Sequence, residues 1–154
     1  MLEKFGMGTL IALAVLLAVF IALLYFQAFK SRTMNVVSGH DNGLLKFCPT
    51  SPNCVSSQVE PEDKHFIKPI ADPSGDKWGQ LTNFLDSHEK TERQLVEDNY
   101  IHYTFRTPLM GFVDDVEFYH DSENGLIHVR SASRVGYSDG GTNKKRVEMI
   151  RSKL

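Results

Sequence analysis

Basic and amide side chains that could bind an anion are concentrated near the C-terminus. A glycine-containing loop over residues 138–142 precedes a predicted helix whose first turn is positively charged. Free backbone N–H groups at a helix N-terminus attract phosphate or carboxylate, and a bound anion would offset the unfavourable cations there. The candidate anion-binding residues are Arg130, Arg134, Asn143, Lys144 and Arg146.

Carboxylates in the same region offer a purely structural alternative. Asp139 could cap this helix, and the arginines could pair with the carboxylates of a preceding strand. We expect Asp114 to point toward the core with Val116, where a carboxylate needs a partner. The candidate partners are Ser131, Asn143 and Arg146. The predicted structural polar network consists of Asp114, Asp115, Glu117 and Asp139.

Other site chemistries find less support in the spacing. Asp115 and Glu117 would lie about 7 Å apart along a strand face, but the same face carries Arg130 and His128, which oppose a cation. A calcium or magnesium site needs several converging oxygens. No Gly-x-Ser-x-Gly motif occurs, so no serine lies in a nucleophile elbow. We therefore expect no catalytic residue, no metal site and no cofactor.

Two cysteines, Cys48 and Cys54, flank a segment with two prolines and an asparagine. Their spacing is too wide for a redox Cys-x-x-Cys motif, and no second ligand pair suggests zinc. The intervening residues favour a tight bend. We predict a disulfide, with two free thiols in a cytosolic loop as the alternative. Because disulfides persist in oxidising compartments, residues 30–154 are expected outside the cytoplasm.

An antiparallel hairpin is expected to position most of these charged side chains. Two stretches that alternate in polarity flank the turn-forming residues 121–125. We expect His120 to lie opposite Gly125, which pairs apolar side chains on an inner face and charged side chains on an outer face. The expected pairs are Phe118–Ile127, Val116–Val129, Glu117–His128 and Asp115–Arg130.

Periodicity predicts the remaining elements of the domain. Apolar residues at helical spacing favour helices over residues 76–88 and 143–154, and alternation favours strands over 92–97 and 99–107. Residues 55–75 contain three prolines and predict an irregular stretch. The order α-β-β-β-β-α indicates an α+β fold, an antiparallel sheet with both helices packed on one face.

The N-terminal region is typical of a membrane anchor. An uncharged apolar run begins at Met7 and ends at Phe26, and as a helix of about 30 Å it matches the hydrocarbon core of a bilayer. The alternatives are a buried helix of a soluble protein and a cleaved signal peptide, but the run is long for a signal and lacks a good cleavage site. The flanking positive charges nearly balance, so the cysteines must indicate the orientation.

Length and charge limit the rest of the chain. The sequence has 154 residues with a net charge of −2, which fits one domain of ordinary size and excludes a strongly basic nucleic-acid binder. We divide it into an anchor over residues 1–29, a polar linker over 30–46 and an extracytoplasmic domain over 47–154.

Three motifs in this domain together carry a family resemblance. They are CPTSPNCVSS at residues 48–57, GFVDDVE at 111–117 and RSASRVGYSD at 130–139, the last followed by NKKRVE at 143–148. Residues 44–154 thus resemble the family known as domain of unknown function 1499, which occurs in bacterial envelopes and photosynthetic organelles. One departure is Gly140-Gly141, where a larger residue is expected at one position. The resemblance implies no settled activity and no established catalytic residues.

The leading hypothesis is a single-pass protein of the inner membrane with a non-catalytic binding or accessory domain in the periplasm. Its partner would be the membrane together with an envelope protein, an anionic lipid or an anionic small molecule, bound on a flat outer sheet face. The alternative is an enzyme that acts on a phosphorylated or carboxylated envelope substrate through its arginines. A third class is a structural subunit of a membrane complex.

Overall fold

The computed structural model describes residues 2–34 and 36–154. In chain order the elements are helix α1 (Leu2–Thr33), strands β1 (His40–Asp41), β2 (Leu44–Leu45), β3 (Cys54–Ser56) and β4 (Ile70–Ala71), helix α2 (Asp76–Ser87), strands β5 (Thr91–Val96), β6 (Tyr100–Arg106), β7 (Val113–Asp121) and β8 (Leu126–Ser133), and helix α3 (Thr142–Arg151).

Helix α1 is long and apolar enough to cross a membrane. Its stretch Gly6–Thr33 spans 28 residues, and the most apolar part of this stretch is not buried by the rest of the protein. The helix continues past the apolar run because no proline or glycine interrupts residues 27–33. At this C-terminal end Ala28 and Ser31 are fully buried against the domain.

The domain is an α+β fold, as the sequence predicts. All strand pairs of its six-stranded sheet are antiparallel, in the order β3-β8-β7-β6-β5, and β4 also pairs with β8. Helices α2 and α3 lie on one face, where Leu81, Leu85, Val147 and Ile150 belong to the same core cluster as the inner strands. The short strands β1 to β4 add to the four predicted ones, in a region expected to be linker and irregular chain.

The predicted register of the β7–β8 hairpin is wrong by two residues. His120 lies opposite Ile127, and Glu117 pairs with Arg130 instead of His128. The turn is closed by residues 122–125, because the carboxylate of Asp121 accepts hydrogen bonds from the backbone and side-chain amides of Asn124 at 3.1 and 2.8 Å. A slip of two residues keeps every side chain on its face, so the predicted apolar face is confirmed.

The outer face of the sheet is not open to solvent as expected. Asp115, Glu117 and Arg130 are all buried on it. The end of α1 and residues 39–45 cover this face: the N–H of Gly39 donates to Glu117, and Leu45 is buried. Residues 30–46, which the sequence suggests to be a linker, thus make specific contacts with the sheet.

Candidate functional site

The covered face of the sheet holds two buried ion pairs, and the first centres on Glu117. Its Oε2 accepts from Arg130 Nη1 at 2.5 Å, and its Oε1 accepts from the hydroxyl of Tyr100 at 2.8 Å and the N–H of Gly39 at 2.6 Å. Burial, followed by the charge of Glu117, raises the pKa of Tyr100. The tyrosine therefore remains a hydrogen-bond donor, and every oxygen of the carboxylate has a partner.

The second ion pair centres on Asp115, toward helix α1. Arg134 binds it in a bidentate manner, with Nε and Nη2 each 2.8 Å from a carboxylate oxygen, and His102 Nε2 lies 2.7 Å from Oδ1. Burial alone would raise the pKa of Asp115, but the hydrogen bonds from Arg134 and His102 outweigh it and lower the pKa. Arg134 also donates to the carbonyl of Ser31 at 3.2 Å, which ties the pair to α1.

A third polar cluster lies on the opposite face, between β8 and α3. Arg146 pairs with Asp114 and donates to Asn143 Oδ1 at 2.6 Å and to Ser131 Oγ at 3.1 Å. All three residues expected as candidate partners of Asp114 therefore belong to one network, with Arg146 as the direct partner. Asp139 joins it by accepting from the backbone of Asn143 at 2.7 Å. Burial would raise the pKa of Asp139, but this bond and that from Gly141 lower it.

The structure does not bring the five candidate anion-binding residues to one surface. Arg130 and Arg134 lie on the covered face, whereas Asn143 and Arg146 lie on the helical face, and Lys144 is exposed. Arg130, Arg134 and Arg146 are each bound to a carboxylate, which is the arrangement of the structural alternative. Anion binding by this set stays a prediction.

The predicted disulfide between Cys48 and Cys54 is confirmed. It closes a loop that is itself bound to the β8–α3 connection, because the side chain of Asn53 donates to the carbonyl of Gly136 at 2.7 Å. The bridge therefore supports the loop that follows β8, at the end of the sheet where α1 docks.

Helix α1 docks on this end of the sheet through polar contacts that the sequence did not reveal. The N–H of Val113, at the start of β7, donates to Ser31 Oγ at 3.1 Å. Arg32 donates to the carbonyls of Met110 at 2.6 Å and Gly111 at 3.1 Å. The only available signal was a serine and an arginine shortly after the apolar run, five and six residues beyond Phe26, and such residues are also typical of a membrane boundary.

A cavity of about 410 Å³ lies where α1 meets the sheet and the β8–α3 loop. We call it the junction cavity. Leu24 and Gln27 form the wall contributed by α1, and Phe112, Val135 and Gly136 belong to the domain wall. The lining is largely apolar, with Asp114 and Asp139 among its polar residues. These carboxylates are already engaged by Arg146 and Asn143, so the accessible chemistry of the cavity is mainly apolar.

At the opposite end of β7 and β8, the side chains of a serine, a histidine and an aspartate lie next to one another in space, but they do not form a hydrogen-bonded triad. Ser57 Oγ is 3.3 Å from His128 Nδ1, yet His128 Nε2 is 3.7 Å from Asp121 Oδ2. Ser57 is buried and its oxygen already accepts from the N–H of Val129 at 2.9 Å. Burial, only partly offset by Asp121, lowers the pKa of His128. These contacts describe a structural network and not an exposed nucleophile.

Within residues 2–34 and 36–154, no group of three or more His, Cys, Asp and Glu side chains is placed to hold a metal ion.

Comparison with known proteins identifies one family. The model of the family described as "Protein of unknown function (DUF1499)" matches residues 44–154. No curated protein and no solved structure matches the chain. The matched residues include β3 to β8, α2 and α3 but not α1, so the family region supplies only one wall of the junction cavity.

Proposed function

The chain belongs to the DUF1499 family, and from that premise we propose that it is a single-pass membrane protein with a non-catalytic binding domain in the periplasm. The site that we assign to binding is the junction cavity, and its ligand is the apolar part of a lipid or a related amphiphile. The anchor holds the domain at the membrane surface, where such ligands are concentrated.

One observation carries this proposal: the membrane-spanning helix itself forms a wall of the cavity. Leu24 lines it and precedes Phe26, the last residue of the apolar run, by two positions, or about 3 Å along the helix axis. If residues 7–26 cross the hydrocarbon core, the cavity lies where hydrocarbon meets the lipid headgroups. An apolar cavity at this depth is accessible to lipids from the side of the bilayer.

Exposed apolar side chains on the neighbouring loops support the same placement. Tyr137 is 77% exposed and lies between Gly136 and Ser138, which both line the cavity. Leu109 is 85% exposed on the β6–β7 turn that Arg32 holds against α1. Side chains of this kind are stabilised at a membrane interface, where tyrosine is enriched. They would add contacts between the domain and the bilayer.

Photo-crosslinking of the full chain tests the ligand. We would place a diazirine side chain at Val135, in the cavity wall, and as a control at Ser122, in the exposed β7–β8 turn at the far end of the hairpin. After irradiation in native membranes, mass spectrometry should find lipid adducts at position 135 and none at position 122. Equal adducts at both positions, or no lipid adduct at position 135, would overturn the proposal.

Cysteine accessibility tests the compartment. Glu123→Cys lies on an exposed turn of the domain, and Gly6→Cys lies at the N-terminal end of the span. In cells with a permeabilised outer membrane, an impermeant maleimide should label position 123 but not position 6, and Cys48 and Cys54 should react only after reduction. Labelling at position 6 alone, with Cys48 and Cys54 already reduced, would place the domain in the cytoplasm.

The alternative of an enzyme that uses an arginine cluster has less support. Arg130, Arg134 and Arg146 would have to exchange their carboxylate partners for substrate, and two of them lie on the face opposite the third. Breaking a buried ion pair is costly. We therefore favour binding over catalysis.

A further inference from the structure

A second, smaller cavity lies beside the end of α1, on the covered side of the sheet. Its volume is about 150 Å³ and its lining is almost wholly polar. Three guanidinium groups line it, those of Arg32, Arg106 and Arg134. We call it the basic cavity. It is separate from the junction cavity, with which it shares no lining residue.

Two of the three guanidinium groups are held in place by contacts of their own. Arg32 donates through Nε and Nη2 to the carbonyls of Gly111 and Met110, and among the described residues its Nη1 has no hydrogen-bond partner. Arg134 is fixed by its bidentate pair with Asp115. Groups that are already ordered lose little entropy when a ligand binds.

The third guanidinium group, that of Arg106, can leave its carboxylate partner and bind a ligand instead. It pairs with Glu92 at 2.8 Å, but the two side chains are 53% and 58% exposed, and such surface pairs contribute little stability. The cavity residues and their ion-pair partners carry three positive charges and the two negative charges of Glu92 and Asp115. One positive charge in this group is therefore left without a compensating negative charge. A bound anion would provide that negative charge.

We infer that the basic cavity binds a phosphate group, either that of an anionic lipid headgroup or inorganic phosphate. Guanidinium groups bind phosphate oxygens through charge-assisted hydrogen bonds, and Thr104 and Gln94 add polar groups to the lining. Arg32 lies six residues beyond Phe26, about 9 Å along the helix, close to the level of the lipid headgroups. This inference goes beyond the proposed function, since it requires no ligand in the junction cavity, and of the residues predicted from the sequence it retains only Arg134.

Thermal unfolding of the full chain in an uncharged detergent tests the inference, with the fluorescence of Trp78 as the signal. At ten times its Kd, inorganic phosphate should raise the Tm by about 5 °C relative to chloride at equal ionic strength. Arg32→Gln and Arg106→Gln should each abolish most of this shift. The matched control is Arg93→Gln, because Arg93 is also 53% exposed and paired with a carboxylate but lies outside the cavity; it should retain the full shift.

The source of the phosphate is distinguished in nanodiscs. If the lipid supplies it, the Tm should be higher in phosphatidylglycerol than in phosphatidylcholine, Arg106→Gln should remove the difference, and added phosphate should have no effect in phosphatidylglycerol. If inorganic phosphate is the ligand, its effect should be equal in both lipids. The inference is wrong if neither source changes the Tm, or if the shift survives in both cavity variants. Lipid crosslinking at Val135 would be unaffected by that failure.

Discussion

Both faces of the central strands β6, β7 and β8 are largely buried, but different kinds of side chain lie on the two faces. On one face Val116, Phe118 and Val129 pack against α2 and α3 in a continuous apolar cluster. On the other face Asp115 and Glu117 alternate with these residues along the same strand, and they are covered by the end of α1 and by residues 39–45. One strand, β7, thus contributes both to the apolar cluster, which we call the apolar layer, and to the buried ion pairs on the other face, which we call the ionic layer.

The difference determines how each layer attaches to its cover. Apolar packing is not directional, so α2 and α3 need only a complementary shape. A buried carboxylate requires particular donors. Here the backbone N–H of Gly39 donates to Glu117, and Arg134, which donates to Asp115, also donates to the carbonyl of Ser31. The ionic layer therefore couples the domain to α1 in one orientation, whereas the apolar layer packs against α2 and α3 without directional bonds.

The largest expected change in the free energy of unfolding tests the apolar layer. Phe118→Ala should lower the free energy of unfolding of the domain by about 4 kcal/mol, because it leaves a cavity in a fully buried cluster. Urea unfolding of the full chain in detergent, followed by Trp78 fluorescence, measures it. Leu95→Ala is the control, since Leu95 is exposed on β5 and should cost less than 1 kcal/mol. A similar loss in both variants would contradict the assignment of the core.

A slightly smaller effect tests the ionic layer. Arg134→Met should lower the free energy of unfolding by about 3 kcal/mol, because Asp115 is left buried with His102 as its remaining side-chain partner. The same urea experiment applies, and Arg93→Met is the control because its ion pair with Asp86 is largely exposed and worth at most about 1 kcal/mol. Adding Asp115→Asn to Arg134→Met should recover part of the loss. No recovery would mean that Arg134 acts mainly through its contact with Ser31.

The effect of breaking the contact between α1 and the sheet should be smaller still. Ser31→Ala removes the acceptor of the Val113 N–H and should cost about 1 kcal/mol. Proteolysis of the β6–β7 turn in detergent offers a more direct measurement, since undocking of α1 would remove the hydrogen bonds from Arg32 that hold this exposed turn. Thr33→Ala is the control, because Thr33 is exposed and bonds only within its own helix. Equal cleavage of both variants and the parent chain would show that this contact does not hold the helix in place.

The smallest effect is the pH dependence that Asp115 contributes from the ionic layer. The pKa of Asp115 is lowered in the fold from its ordinary value of 3.8, so its contribution to stability is present above that value and is lost as the pH falls through the lower, folded pKa. Asp115→Asn should flatten the slope of stability below pH 4. Phe118→Ala should retain the slope of the parent chain, and an equal slope in the Asn variant would assign it to other carboxylates such as Asp139.

Much of the fold follows from the sequence because it depends on local periodicity. Alternation along β7 and β8 assigns each side chain to a face whatever the register, so the apolar face is predicted correctly while the pairing is wrong by two residues. The apolar run, the helices and the disulfide are likewise local, since each depends on residues that are close together in the chain. The partner of Asp114 could be narrowed to Ser131, Asn143 and Arg146 because the alternation along β7 placed this carboxylate on the inner face, even though Arg146 is 32 residues away in the chain.

What only the tertiary structure decided is what covers the ionic face and where the two cavities lie. Ser31, Arg32 and Gly39 are separated by about 80 residues from the groups that they contact, and no periodicity marks them as packing residues. The register of the hairpin depended on side-chain bonds within its turn, which composition does not encode. Contacts between distant segments are selected by the joint satisfaction of buried polar groups, and that condition can be evaluated only once the chain is folded.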